Sequence, residues 1–225
     1  TVTVTSSGSP SESGATGTYT IQSASTLETP VTVTFAMSGV AGNGVDYNLS
    51  GTGTLPVGTN TQAIITLTPV NDARVEAIED AILTLNAGAQ VTVGAPASAS
   101  LNILDDDVAT VTVSTSGTPT ESGSVSAIYT LSTTDILDVP VTVSFLMSGA
   151  ASTAPGTDYT LSGSYTGPGG SAVLPLGTGS SVNLTLTPID DARVEANEAA
   201  TLTVQTVGQA QAGVPAAGTL NITDN

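Results

Sequence analysis

The chain has no cysteine, histidine, lysine or tryptophan. Without cysteine there is no disulfide framework, no thiolate metal site and no thiol nucleophile. Without histidine there is no imidazole ligand, and the serines have no evident base to activate them. Aromatics make up only 3% of the residues, which leaves the core to aliphatic side chains and offers no aromatic platform for a sugar. No apolar run approaches the ~20 residues of a membrane span, and no signal-peptide pattern is present. Charge is scarce, at 9% of residues, against roughly 25% in ordinary soluble domains. It is also one-sided: 19 acids against two arginines give a net charge of -17. Such a balance repels nucleic acid and anionic membrane and suits either cations or plain solubility. The two differ in distribution, because a cation site needs clustered acids.

What is present is a repeat. "TVTVTSSGSPSESG" at Thr1 returns as "TVTVSTSGTPTESG" at Thr110, and "ETPVTVTFAMSG" at Glu28 as "DVPVTVSFLMSG" at Asp138. "VDYNLSG" at Val45 returns as "TDYTLSG" at Thr157, "LTPVNDARVEAIEDAILTL" at Leu67 as "LTPIDDARVEANEAATLTV" at Leu186, and "LNILDDD" at Leu101 as "LNITDN" at Leu220. The spacing drifts from 109 to 119 residues through insertions around Ala154–Pro155 and Gly167–Ser171. The chain therefore divides into two copies of one domain, 1–107 and 108–225. It opens without Met, directly on a strand pattern, so we expect a piece of a longer polypeptide.

Period-2 alternation marks Thr1–Thr5, Tyr19–Ser23, Val31–Phe35, Ile65–Thr68, Ala81–Leu85 and Leu101–Leu104 as strands. No stretch carries a helical period. The expected fold is all-β: two tandem immunoglobulin-like antiparallel β-sandwiches of about seven strands each, without the cysteine and tryptophan core of true immunoglobulin domains.

The acids of copy one are not scattered. Glu12 follows the first strand, Asp46 the third, Asp72, Glu76, Glu79 and Asp80 the fifth, and Asp105, Asp106 and Asp107 the last. Alternate loops of an antiparallel sandwich share a pole, so this order gathers carboxylates at one end. Two carboxylates ~4 Å apart repel by about 1–4 kcal/mol at surface-like dielectric. Arg74 is one charge against many. Oxygen-only ligands favour Ca²⁺ over zinc or copper, with Mg²⁺ second because it demands near-octahedral geometry. The competing reading is a solvated acidic cap. Glu28 and Asp80 are read as ordinary surface acids.

"NDARVEAIED" followed by "LNILDDD", with the "ESG" glutamate and the "VDY" aspartate upstream, resembles the Calx-beta domain. The resemblance covers the whole chain, twice. It implies an immunoglobulin-like sandwich binding Ca²⁺ at one pole. In copy one it implies Glu12, Asp46, Asp72, Glu76, Glu79, Asp105, Asp106 and Asp107 as ligands, with Arg74 where a backbone carbonyl contributes. Arg74 and Arg193 have the alternative of simply pairing with nearby acids. Asn71 stands where the fullest sites carry an aspartate. In copy two it implies Glu121, Asp158, Asp190, Asp191, Glu195, Glu198 and Asp224, with Asn225 in place of the second terminal aspartate.

The expectation is a non-enzymatic, Ca²⁺-binding structural or adhesive repeat of a long extracellular or cell-surface protein, bacterial in composition, belonging to an adhesin, matrix or filament. Ions at Asp105–Asp107, where no Gly/Ser linker separates the copies, would stiffen the junction. Expected partners are neighbouring copies of the repeat, a homopolymer or a surface ligand, with no nucleic acid and no membrane insertion. The alternative is a Ca²⁺ sensor module of a membrane protein.

Overall fold

Threonine and serine alternating with valine, isoleucine and leucine give each segment one apolar face, and the pleat turns that face inward. The computed structural model describes residues 1–152 and 157–224. Its strands are β1 (Val2–Ser7), β2 (Gly17–Ser23), β3 (Val31–Thr32), β4 (Phe35–Gly39), β5 (Tyr47–Ser50), β6 (Thr54–Leu55), β7 (Gln62–Pro69), β8 (Arg74–Val75), β9 (Glu79–Leu85) and β10 (Ser98–Ile103). There follow β11 (Ala109–Ser116), β12 (Ala127–Ser132), β13 (Ile136–Leu137), β14 (Val141–Gly149), β15 (Tyr159–Leu161) and β16 (Ser164–Tyr165). The last are β17 (Gly169–Leu174), β18 (Gly177–Thr178), β19 (Ser181–Pro188), β20 (Glu198–Gln205), β21 (Ala210–Ala212) and β22 (Ala217–Ile222). The fold is all-β, and among the described residues no helix is long and apolar enough to cross a membrane.

Two compact units form: Thr1–Asp72 with Ala77–Asp106, and Ala73–Glu76 with Asp107 onward. In the first, β1-β2-β7-β5 make one sheet and β10-β9-β4 the other, and β3 pairs separately with β6. In chain order this is the ABED and CFG division of a constant-type immunoglobulin sandwich. In the second unit the sheets grow to β15-β19-β12-β11-β21 and β16-β17-β14-β20-β22, and a small sheet β18-β13-β8 adds a layer edge.

The growth has a visible source. The inserted residues around Gly167–Ser171 form the β16–β17 hairpin, and β17 pairs with β14 from Val141↔Leu174 to Leu146↔Gly169. Copy one has only the two-residue equivalent, Val31↔Leu55 and Thr32↔Thr54. There the expected single strand Val31–Phe35 breaks: β3 pairs with β6, Val33 donates to the Gly53 carbonyl, and β4 pairs with β9. The other insertion, at Ala154–Pro155, lies outside the described residues.

The expectation of a purely aliphatic core needs correction. The largest fully buried side chains include Tyr19, Tyr47, Tyr129, Tyr159 and Phe145. The scarce aromatics are placed where size fills most volume. A buried phenol needs a partner, and Tyr19 of β2 donates across the sandwich to the Ala81 carbonyl of β9 at 2.6 Å, as Tyr129 does to Ala200 at 2.7 Å. Burial raises both phenol pKa values far above the ordinary range, so each remains a donor.

The Met-Ser-Gly that closes β4 and β14 is a steric requirement. A Cβ on Gly149 would lie 2.0 Å from the Ala199 carbonyl oxygen, at φ +120°, and one on Gly39 would lie 2.1 Å from that of Asp80, at φ +115°. Replacing Gly149 by Ala should therefore destabilise the second unit by more than about 1 kcal/mol. Chemical denaturation should show a lowered midpoint for Gly149→Ala and little change for a serine-to-alanine substitution at exposed Ser148.

Candidate metal centre

The site begins with a backbone device. Pro10 offers no N–H but accepts from Leu104 N, and Glu12 N donates to the Leu104 carbonyl. Ser11 thereby bridges Leu104 in parallel, just beyond β10. The Glu-Ser-Gly turn that follows uses Gly14 at φ +109°. Copy two repeats it: Thr223 N donates to Pro119, Glu121 N donates to Thr223, and Thr120 bridges Thr223. Each first loop is thus fastened to the end of its last strand. Glu12 and Glu121 are consequently buried, each only 5% exposed.

A carboxylate this deep normally pairs with a cation or a set of donors. Around Glu12, the Asp72 amide donates to its Oε2 at 3.4 Å, and Asp72 and Glu12 place carboxylate oxygens within 4.8 Å of each other. A second pair in the first unit, Asp46 and Glu79, does the same. Asp46 is fixed by accepting the Gly42 amide at 2.6 Å. Asp105 and Asp106 continue from Leu104 at the end of the first unit, half-buried and exposed respectively. Glu76 and Asp107 belong to the second unit.

In the second unit Glu121 faces Asp224, Glu195 and Asp191. Burial, then these three charges and a hydrogen bond with Asp224, raise its pKa. Among the described residues its Oε2 and the Oδ1 of Asp224 are buried without a hydrogen-bond partner. The other Asp224 oxygen accepts the Glu195 amide at 2.7 Å. Beside this group, Glu198 is raised by burial and then by the charge and hydrogen bond of Asp158, with Glu195 and Glu121 adding to it. Asp158 accepts the Ser152 amide, as Asp46 accepts Gly42. The Asp46–Glu79 and Asp158–Glu198 pairs are therefore the same pair in two copies. Asp190 is exposed at the head of its loop, and Asn225 lies outside the described residues.

The two arginines lie among these acids. Arg193 is 71% exposed and reaches Glu195 at 3.8 Å, and Asp191 accepts its backbone amide at 2.6 Å. Arg74 lies 3.7 Å from Glu76. Its guanidinium grips Asp138 with two bonds, at 2.5 and 2.7 Å. That grip, against burial, holds Asp138 below the ordinary carboxylate range. The role of Asp138 escaped the sequence reading. The available signal was the chain's only two arginines standing at matching places in "DARVEA". Asp80, read as a plain surface acid, is half-buried and accepts the Val40 amide at 3.0 Å, while Glu28 is exposed.

Chemically, these carboxylates offer oxygen donors only. They suit a hard cation such as Ca²⁺.

No family model matches the chain, and no curated protein matches it. The chain is similar to the crystal structure of CBD12 from CALX1.2, at 14% identity over 98% of this chain and 100% of that one, TM-score 0.39. It is also similar to the apo form of the Calx CBD1 domain, at 21% identity over 48% of this chain and 88% of that one, TM-score 0.38. A third likeness is to the calcium binding domain CBD12 of CALX1.1, at 16% identity over 90% of this chain and 79% of that one, TM-score 0.39.

The raised carboxylates set a pH dependence. Above the ordinary glutamate value of 4.5 and up to their raised values, Glu121 and Glu198 hold protons in the folded chain that the unfolded chain has lost. Their contribution to stability therefore falls as pH rises through that window. Asp138 acts oppositely, and only as pH falls through its lowered value, below 3.8. In chelator, thermal melts should show the second unit losing stability as pH rises above 4.5 through the raised values of these two groups. Glu121→Gln should flatten that slope; an unchanged slope would show that Glu121 does not carry it.

Proposed function

We propose that this chain is a Ca²⁺-binding structural repeat of a long extracellular or cell-surface protein of bacterial type, an adhesin, matrix or filament component. In this role it catalyses nothing. The observation that carries the proposal is Glu121: a carboxylate with an unpartnered buried oxygen, facing three further acids. Desolvation and like charge both penalise its ionised form, and a divalent cation reverses both penalties at once. Glu12 sits in the same backbone bridge with Asp72 beside it.

The proposed ligands in copy one are Glu12, Asp46, Asp72, Glu76, Glu79 and Asp105–Asp107, with the Arg74 carbonyl available. In copy two they are Glu121, Asp158, Asp190, Asp191, Glu195, Glu198 and Asp224. Copy one has three terminal aspartates where copy two has Asp224 followed by Asn225. At matched positions the charge is even, because Asp190 stands opposite Asn71 as Asp106 stands opposite Asn225. The aspartates occupy the chain between Leu104 and Val108 with no glycine or serine among them. Ions held there would restrict the backbone where one copy gives way to the next.

A calorimetric Ca²⁺ titration tests this. Extracellular modules bind at about 10⁻⁴–10⁻³ M and sensors at about 10⁻⁷–10⁻⁵ M, so affinity also separates the structural role from a sensor module. At 100 times the dissociation constant, bound Ca²⁺ should add about 2.7 kcal/mol to stability. Glu121→Gln and Glu12→Gln should each remove the binding of their own copy and leave the other. Absence of heat and of any melting shift would leave the acids as a solvated cap.

A further inference from the structure

The second unit contains a strand that does not come from its own repeat. Residues Ala73–Glu76 belong to it, with β8 parallel to β13 in the register Ile136↔Arg74 and Leu137↔Val75. Four interactions hold the segment. Val75 is 1% exposed, within the second unit's core. Asp138 N donates to the Val75 carbonyl at 3.0 Å, Gln209 Nε2 donates to the Glu76 carbonyl at 2.6 Å, and Arg74 makes its two-bonded ion pair with Asp138.

Both halves of this arrangement recur in the repeat. The donor sequence Ala-Arg-Val-Glu returns as Ala192–Glu195. There, however, the valine is 94% exposed and the arginine 71%. The acceptor elements Leu137, Asp138 and Gln209 have Leu27, Glu28 and Gln90 as their repeat equivalents. The acceptor is also built alike. Leu27 and Gly58 exchange backbone hydrogen bonds at 2.8 and 3.0 Å, the pairing that Leu137 and Gly177 make in the second unit. Among the described residues no strand pairs with the other side of Leu27–Glu28. Glu28 and Gln90 are exposed, and a cleft bordered by Pro30, Gln90 and Val91 opens beside them.

We infer that Ala192–Glu195 of one chain docks as a parallel strand on the Leu27–Glu28 edge of a second copy. The occupant is argued from chemistry already used once. An arginine meets a carboxylate, Arg193 with Glu28. A valine leaves water beside a leucine. A glutamine amide, Gln90, closes on the carbonyl of the following glutamate, Glu195. Donor and acceptor are different surfaces, so the contact is heterologous and need not close. Copies would add head to tail. The inference is independent of bound Ca²⁺ and does not need the metal reading to hold.

Sedimentation equilibrium from micromolar to about 1 mM chain tests it, run with Ca²⁺ and with chelator in moderate salt to screen the net charge of -17. The expected result is a mass that climbs above 22.0 kDa without a plateau at the dimer. Val194→Asp, which places a charge where an apolar side chain is buried, should weaken association at least about tenfold. Val214→Asp, an equally exposed valine outside the donor, should not. Glu28→Arg and Arg193→Glu should each weaken association, and the double variant should restore it. A monomer at every concentration would overturn the inference, as would association indifferent to Val194→Asp.

Discussion

A buried carboxylate is the constraint on which this molecule turns. Glu12 and Glu121 are drawn inside not by their own chemistry but by the backbone, because Pro10–Glu12 and Pro119–Glu121 pair with the residue just past the last strand. Once that pairing is made, the glutamate cannot return to solvent without unfastening the loop. The acids of the later loops then converge on it, as Asp191, Glu195 and Asp224 do on Glu121. The sandwich supplies the rigidity: two sheets tied through Tyr19 and Tyr129 hold the loop ends in place. Repulsion of this kind persists in a folded chain only if the fold over-determines it or a cation relieves it.

Much of this was legible in the sequence because the chain states its pattern twice. Alternation gave the main strands, and the two copies matched seven acids of the first with acids of the second. Asp46 and Glu79 lie 33 residues apart, yet both copies bring the corresponding pair together. The depth of Glu12 and Glu121 was not legible, since nothing in "ESG" says that its backbone bridges the end of the last strand. Nor was the role of the tyrosines: 3% aromatics suggested an aliphatic core, whereas their scarcity hid a placement at the positions of greatest volume.

The strand Arg74–Val75 was the hardest feature to foresee. Two residues are too few for a period-2 pattern to register. The valine reads as a loop residue flanked by charge, and in the second copy its equivalent is one. Only the small sheet with β13 and β18 shows that the same tetrapeptide has two fates, buried or exposed. Sequence identity between the copies therefore coexists with a difference in what each segment is paired to.

The most direct measurement is a crystal structure grown in millimolar Ca²⁺ at neutral pH, with an anomalous map. Peaks should lie about 2.3–2.6 Å from oxygens of Glu12 and Glu121, with Asp224 turned so that its unpartnered oxygen joins the second ion. A map without a peak at either glutamate, in which the Glu121 and Asp224 oxygens stay without a partner, would contradict a metal centre. The acids would then be a charged cap held in place by the fold alone.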